Sequence, residues 1–145
     1  MHAMAALITE DFHASLWTDQ EVGIAMGRDV LLVPVRVPTV PYGFMGRHQA
    51  LPGDLARPQQ LAAALVDVFV RRPQTSVVMH EALTNALEHS HSFSESKVLI
   101  EKIQTATGFT KEQLARLEAA IRNNDQVGNY YYVGRLRRFL EAVQT

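Results

Sequence analysis

Two short apolar runs in the first half of the chain have the pattern of strands buried in a parallel sheet. The first covers residues 3–9 (AMAALIT) and the second covers residues 30–37 (VLLVPVRV), with a stretch of helical spacing between them. Residues 49–51 are expected to add a very short third strand. Pro34 interrupts the second run, and because proline has no N–H to donate, we expect a bulge or a strand end there.

The helices of the first half are predicted from capping signals and from the 3.6-residue period. One helix is expected to end near Arg28, and either Ser15 or Thr18 fits its N-cap position. Thr18 and Glu21 also have the spacing of a capping box. A second helix is expected over residues 58–71, so the order of elements is that of a parallel α/β fold.

The second half of the chain shows only helical patterns. Apolar residues recur at helical spacing after the Arg-Arg-Pro-Gln stretch at residues 71–74, and Thr110 with Gln113 has the spacing of a capping box. We therefore expect two regions, an α/β region over residues 1–72 and an all-helical region over residues 73–145.

The composition is that of an ordinary globular protein, with 47% hydrophobic and 20% charged residues and a formal net charge of −1. A charge this close to zero argues against nucleic acid as a partner, and no apolar run approaches the roughly 20 residues that cross a bilayer. The chain has no cysteine, which excludes disulfides and thiolate metal sites. With no signal-peptide pattern at the start, we expect a cytoplasmic protein that binds no membrane.

A Trp-x-x-x-Glu motif follows the first predicted strand. Trp17 and Glu21 share one face of the predicted helix, and they follow the carboxyl end of a parallel strand, where α/β folds bind ligands. The segment FHASLWTDQEVGIAMGR resembles the third strand-to-helix segment of bacterial TIR (Toll/interleukin-1 receptor) domains. The next segment, LLVPVRVPTVPYGFMGRHQAL, resembles the following strand and its Pro/Gly loop, so the resemblance covers about residues 3–71.

The resemblance implies a partial flavodoxin-like TIR fold and an enzymatic activity. TIR enzymes cleave the bond between nicotinamide and ribose in NAD, and Glu21 lies at the position of the family's catalytic glutamate. Trp17 and Ser15 would then border the substrate, together with Tyr42 and Phe44 of the loop. NAD is the implied substrate, with no cofactor and no metal, and hydrolysis and cyclisation both stay open. In bacteria such domains serve signalling, defence or toxicity.

Only the C-terminal half of a TIR domain is covered by the resemblance. A whole domain carries two more strand–helix units before this point, so the strand over residues 3–9 is expected to have an open edge, which invites pairing with another chain. Two or three strands also rarely form a stable sheet alone. We therefore expect a homo-oligomer, or an assembly with another TIR chain, and an activity that depends on self-assembly or on the missing half.

Other interpretations stay open beside the enzyme. The chain fits equally the description of a non-catalytic TIR scaffold for homotypic interaction, or of an inactive truncated TIR. Glu21 has a purely structural alternative as the partner of Thr18 in the capping box. Tyr42 and Phe44 have one as parts of a simple turn. The histidines and glutamates of residues 80–91 show no converging set of ligands for zinc.

Overall fold

A computed structural model describes residues 1–129 and 131–144, with the side chains of His13, Leu16, Phe44 and Gln144 left outside the description. The chain forms two compact units, residues 1–68 and residues 69–145. This division lies a few residues before the one expected from the Arg-Arg-Pro-Gln stretch. The expected class, parallel α/β structure followed by helices, is confirmed.

The first unit contains a small parallel sheet. The elements, in chain order, are strand β1 (Ala3–Ile8), a 3-10 helix (Glu10–Ala14), helix α1 (Leu16–Gly27), strand β2 (Leu31–Arg36), a 3-10 helix (Gly43–Arg47), strand β3 (Leu51–Pro52) and helix α2 (Pro58–Arg71). The strands lie in the order β1-β2-β3, and both pairings are parallel. The third strand therefore exists, but it begins two residues later than expected and is only two residues long.

Pro34 lies inside β2 without a bulge, and the expectation of a bulge or a strand end there is wrong. It pairs in register with Ala6 of β1. The N–H groups of Leu31 and Val37 donate to β1, so the backbone N–H and C=O groups of the odd-numbered residues of β2 point toward β1. Those of the even-numbered residues, Pro34 among them, point toward β3. Pairing with β3 begins only after Pro34, at Val35. The missing N–H therefore removes no bond of the ladder.

A single cluster of buried side chains joins β1, α1 and β2. Its buried members are Ala6, Ile8, Phe12, Val22, Leu32 and Met45, with Met4 and Tyr42 packed against them. The buried members from β1, Ala6 and Ile8, lie on one face of that strand, because side chains of a strand alternate between faces. Strand β2 is buried on both faces, with Val33 and Val35 on the face opposite Leu32. Leu7, on the opposite face of β1 from Ile8, is exposed.

The second unit is helical throughout its described residues. Beyond the last turn of α2 it contains α3 (Pro73–Glu88), α4 (Phe93–Gln104), α5 (Lys111–Asn123), the short α6 (Asp125–Gly128) and α7 (Val133–Gln144). Its fully buried side chains include Leu87, Ile100, Ile103, Leu117 and Leu136. None of the helices in the described part of the chain has the length and apolar character needed to span a membrane.

The capping box predicted for α5 is confirmed. Thr110 Oγ1 accepts from the Gln113 N–H at 3.1 Å, and Gln113 Oε1 accepts from the Thr110 N–H at 3.0 Å. The helix ends at Asn123, and the side chain of Asn124 accepts from the Gln126 N–H and begins α6. These signals are read correctly because each involves residues only two or three positions apart.

Candidate functional site

Helix α1 does not begin with the capping box that the spacing of Thr18 and Glu21 suggests. Ser15 is the N-cap residue, without a side-chain cap hydrogen bond, and Thr18 already lies in the first turn. The Thr18 hydroxyl donates to the carbonyls of Phe12 at 2.9 Å and Ser15 at 2.7 Å. Thr18 therefore does not cap the helix, and the structural explanation of Glu21 as its capping-box partner is wrong.

The residues of the Trp-x-x-x-Glu motif lie on the solvent-facing side of α1. Trp17 is 73% exposed, Glu21 is exposed, and Ile24 continues the same face at 53% exposure. No group among the described residues forms a hydrogen bond or an ion pair with the Glu21 carboxylate. Ser15 is half-buried at the N-terminus of the same helix. The structure thus brings Trp17 and Glu21 together on one open surface.

Tyr42, in the loop after β2, contacts a different face of α1 from the one that carries Glu21. Its hydroxyl donates to the Asp19 carboxylate at 2.8 Å, and its ring packs edge-on against Phe12 with the centroids 6.3 Å apart. Asp19 and Glu21 are two residues apart, which places them about 200° apart around the helix. Tyr42 is therefore separated from the surface of Trp17 and Glu21. The side chain of Phe44, the other loop residue expected to border the substrate, lies outside the described residues.

The loop around Tyr42 and the inner face of α1 enclose a half-open cavity of about 320 Å³, called here the α1 recess. It is lined mainly by apolar groups, and its lining includes Asp19, Val22, Gly23, Met26, Tyr42 and Met45. Most of these residues have no counterpart in the site expected from sequence. Asp19, Gly23 and Met26 do follow helical spacing, which marks a common face, but nothing local indicates that the loop approaches this face.

The acidic residues near His80 belong to an ion-pair network. The guanidinium of Arg116 donates to Glu81 at 2.6 Å and to both oxygens of Glu88 at 2.6 and 2.9 Å, which links α3 to α5. Hydrogen bonding from Arg116 is the main reason why the pKa values of both carboxylates lie below their ordinary value. Across the described residues, no group of three or more histidines and carboxylates is arranged to hold a metal ion.

The TIR interpretation rests on the residues that carry the resemblance, namely the Trp17–Glu21 motif, the strands on either side of α1 and the loop that contains Tyr42. Of these, the structure places the motif on an open helix face and the loop on another face of the same helix. Comparison of the chain with protein-family models, with curated proteins and with solved structures finds no match.

Proposed function

We propose that this chain provides the half of a TIR-type NAD glycohydrolase that carries the catalytic glutamate. The observation that supports the proposal is the position of Glu21. It is exposed one helical turn from Trp17, on α1, which follows the carboxyl end of β1 after a 3-10 helix in a parallel β–α–β unit. A carboxylate without a partner among the described residues is available to a substrate.

The chemistry that this carboxylate performs is electrostatic. When the bond between nicotinamide and ribose breaks, its electron pair leaves with nicotinamide and positive charge develops on the ribose. Glu21 stabilises that charge and accepts hydrogen bonds from ribose hydroxyls, while Trp17 and Ser15 border the sugar. Water completes a hydrolysis, and a nucleophile within the substrate completes a cyclisation. Removing one preorganised group of this kind typically lowers kcat by roughly 10²–10³.

An active form requires that the open face of α1 be covered. Trp17 and Ile24 are exposed apolar side chains about one helical turn before and after Glu21 on α1. In water, a carboxylate is screened and stabilises developing charge weakly, whereas a covered site strengthens the same interaction. We therefore expect activity per molecule to rise with protein concentration or on addition of the remaining half of a TIR domain.

The test measures nicotinamide release from NAD by the full chain over a range of protein concentrations, beside Glu21→Gln. Release by the wild type that falls by about a hundredfold or more in the variant supports the proposal. Glu112→Gln, which removes an exposed carboxylate from α5, is the matched control and should leave the rate unchanged. Absence of release from the folded wild type at every concentration, with and without the complementary half, contradicts the proposal.

A second candidate function is a non-catalytic scaffold for homotypic interaction, and the free edge of β1 favours it. Within the described residues β1 pairs with β2 alone, through the even-numbered residues that include His2 and Ile8. The N–H and C=O groups of Ala3 and Ala5 and the N–H of Leu7 consequently point away from the sheet, while the Leu7 C=O accepts from the Thr9 N–H at 3.1 Å. The strand contains neither a charge nor a proline, which are the usual protections of an edge.

Ala5→Pro tests the scaffold directly. It removes an N–H that faces outward and leaves the bonds to β2 intact, so it should abolish association through β1 without unfolding the sheet. Ala5→Thr keeps the N–H and serves as the control. If light scattering gives the same mass for the wild type and both variants at every concentration, pairing through β1 is excluded as the basis of assembly.

A further inference from the structure

Two of the residues that line the α1 recess are glycines, Gly23 and Gly43. A Cβ atom added to Gly23 or to Gly43 would meet no atom within 4 Å, so both positions leave open space at the wall of the cavity. Gly43 has a φ of +54°, which favours glycine at the start of the loop. Val22 and Met45 are buried and form the floor. The volume lies near the lower end of the range for small-molecule sites.

One carboxylate and one aromatic ring give this apolar recess a definite polarity. The Tyr42 hydroxyl donates to Asp19 at 2.8 Å, and Asp19 is exposed at the opening. Partial burial and, secondly, the hydrogen bond to Asp19 raise the pKa of the Tyr42 phenol, so the ring stays neutral at physiological pH. No cationic side chain among the described residues forms an ion pair with Asp19. Asp19 lies in the first turn of α1, where the helix dipole favours a negative charge, and no cationic side chain of the described residues neutralises it beside the phenol ring.

A planar aromatic cation is complementary to this combination of groups. Its ring would lie against the apolar wall and Tyr42, and its charge would lie beside Asp19, so that cation–π attraction and Coulomb attraction act together. A neutral ring of the same size would gain only the contact with the apolar wall. An anion would be repelled by Asp19.

We propose that the α1 recess is a binding site for a planar aromatic cation of the size of a pyridinium ring, with Asp19 as its counter-ion and Tyr42 as its aromatic wall. The site lies on another face of α1 from Glu21, so the proposal does not depend on cleavage of NAD by this chain. Binding at this site and catalysis at Glu21 are measured separately and fail separately.

The experiment compares two ligands that differ mainly in charge, 1-methylnicotinamide and nicotinamide, by NMR titration of the full chain. We expect saturable shifts at the amides of Gly23, Met26, Gly43 and Met45 with the cation, and binding of the neutral ligand about tenfold weaker. Asp19→Asn should remove this preference while keeping the weak binding of the neutral ring. Glu112→Gln, which removes an exposed carboxylate from α5, should leave both titrations unchanged.

Substitutions of two glycines on α1 locate the site. Gly23→Leu fills the recess from an exposed helix position and should abolish both titrations, since the larger side chain favours the helix and does not threaten folding. Gly27→Leu is the matched control, at a position that also has open space but does not line the recess. Equal affinity for the two ligands, absence of shifts at millimolar ligand, or unaltered binding in Gly23→Leu would each overturn the proposal.

Discussion

Each long helix of the helical unit closes its backbone hydrogen bonds internally, whereas β1 in the α/β unit leaves alternate N–H and C=O groups facing outward. Exposed apolar side chains occur in both units, for example Ile24 in α1 at 53% and Val77 in α3 at 71%, so the contrast lies in the backbone. The comparison teaches that the long helices of the helical unit need no second chain to complete their backbone hydrogen bonds, while the α/β unit presents a strand edge that suits a neighbour.

Polar contacts join distant segments in both units. In the helical unit, Arg116 joins Glu81 and Glu88, and the amide of Asn124 donates to the carbonyls of Glu88 and Ser90. These bonds connect residues about 30 positions apart in sequence. In the α/β unit, the Tyr42 hydroxyl donates to Asp19, 23 positions away.

The largest expected effect comes from the same substitution made in both units. Ile103→Ala removes a fully buried side chain and should lower the free energy of unfolding of the helical unit by about 2–5 kcal/mol. Ile24→Ala removes an exposed side chain and should change the free energy of unfolding of the α/β unit by less than about 0.5 kcal/mol. Urea denaturation followed by circular dichroism and by the fluorescence of Trp17 in α1 reports both values.

The effect of Ile24→Ala on the free energy of unfolding tests whether the outer face of α1 is exposed in solution. Destabilisation by Ile24→Ala of the same size as that by Ile103→Ala would mean that the outer face of α1 is covered in solution. Repeating the measurement at low protein concentration then identifies the cover, because destabilisation that disappears on dilution indicates a second copy of the chain.

An intermediate effect is expected from the polar contacts of the helical unit. Asn124→Ala leaves the carbonyls of Glu88 and Ser90 without their donor and removes the cap of α6, so the free energy of unfolding should fall by about 1–3 kcal/mol. Asn123→Ala, at the exposed last residue of α5, should change it by less than about 0.5 kcal/mol. Equal effects of the two substitutions would show that the bonds of Asn124 contribute nothing to stability.

The smallest expected effect concerns pH and a buried histidine. His80 is 3% exposed, its ring stacks on Phe109 with the centroids 4.4 Å apart, and its Nε2 has no hydrogen bond of ordinary geometry among the described residues. Burial lowers the pKa of His80 below its ordinary value of 6.5, and the carbonyls of Val70 and Gly108 oppose this only in part.

The sign of the pH dependence follows from that direction. In the unfolded chain His80 takes up a proton near pH 6.5, while in the folded chain it does so only at lower pH. The helical unit is therefore expected to keep its full stability above pH 6.5 and to lose part of it as the pH falls below that value. The thermal midpoint at pH 7.5 and pH 5.5 measures the loss.

His80→Phe keeps a ring against Phe109 and should remove most of this pH dependence, whereas His91→Gln, at an exposed position, should leave it unchanged. A titration of the histidine ring signals in the wild type provides an independent measurement. A pKa for His80 at or above 6.5 would contradict the interpretation even if His80→Phe fails to fold.

The elements of the fold were predictable because their signals are local. Apolar runs indicated β1 and β2, helical spacing indicated the longer helices, and the threonine–glutamine pair opened α5 as expected. Thr18 shows the limit of such local signals. Its spacing to Glu21 matched a capping box, but its hydroxyl donates to the carbonyls of Phe12 and Ser15. The two pairs have the same spacing but different outcomes, because α1 already begins at Leu16, so that Thr18 lies inside its first turn and not at its N-cap.

The sequence by itself determined the alternation of strand and helix, the helical second half and the pairing of Trp17 with Glu21 on one helix face, since all of these depend on residues within a turn or two of each other. Only the tertiary structure decided which faces are covered. It placed Pro34 where the ladder needs no donor, brought Tyr42 to Asp19 across 23 positions, and opened a recess between them. Contacts between distant segments depend on how the faces of whole elements fit together, and no local pattern of residues encodes that fit.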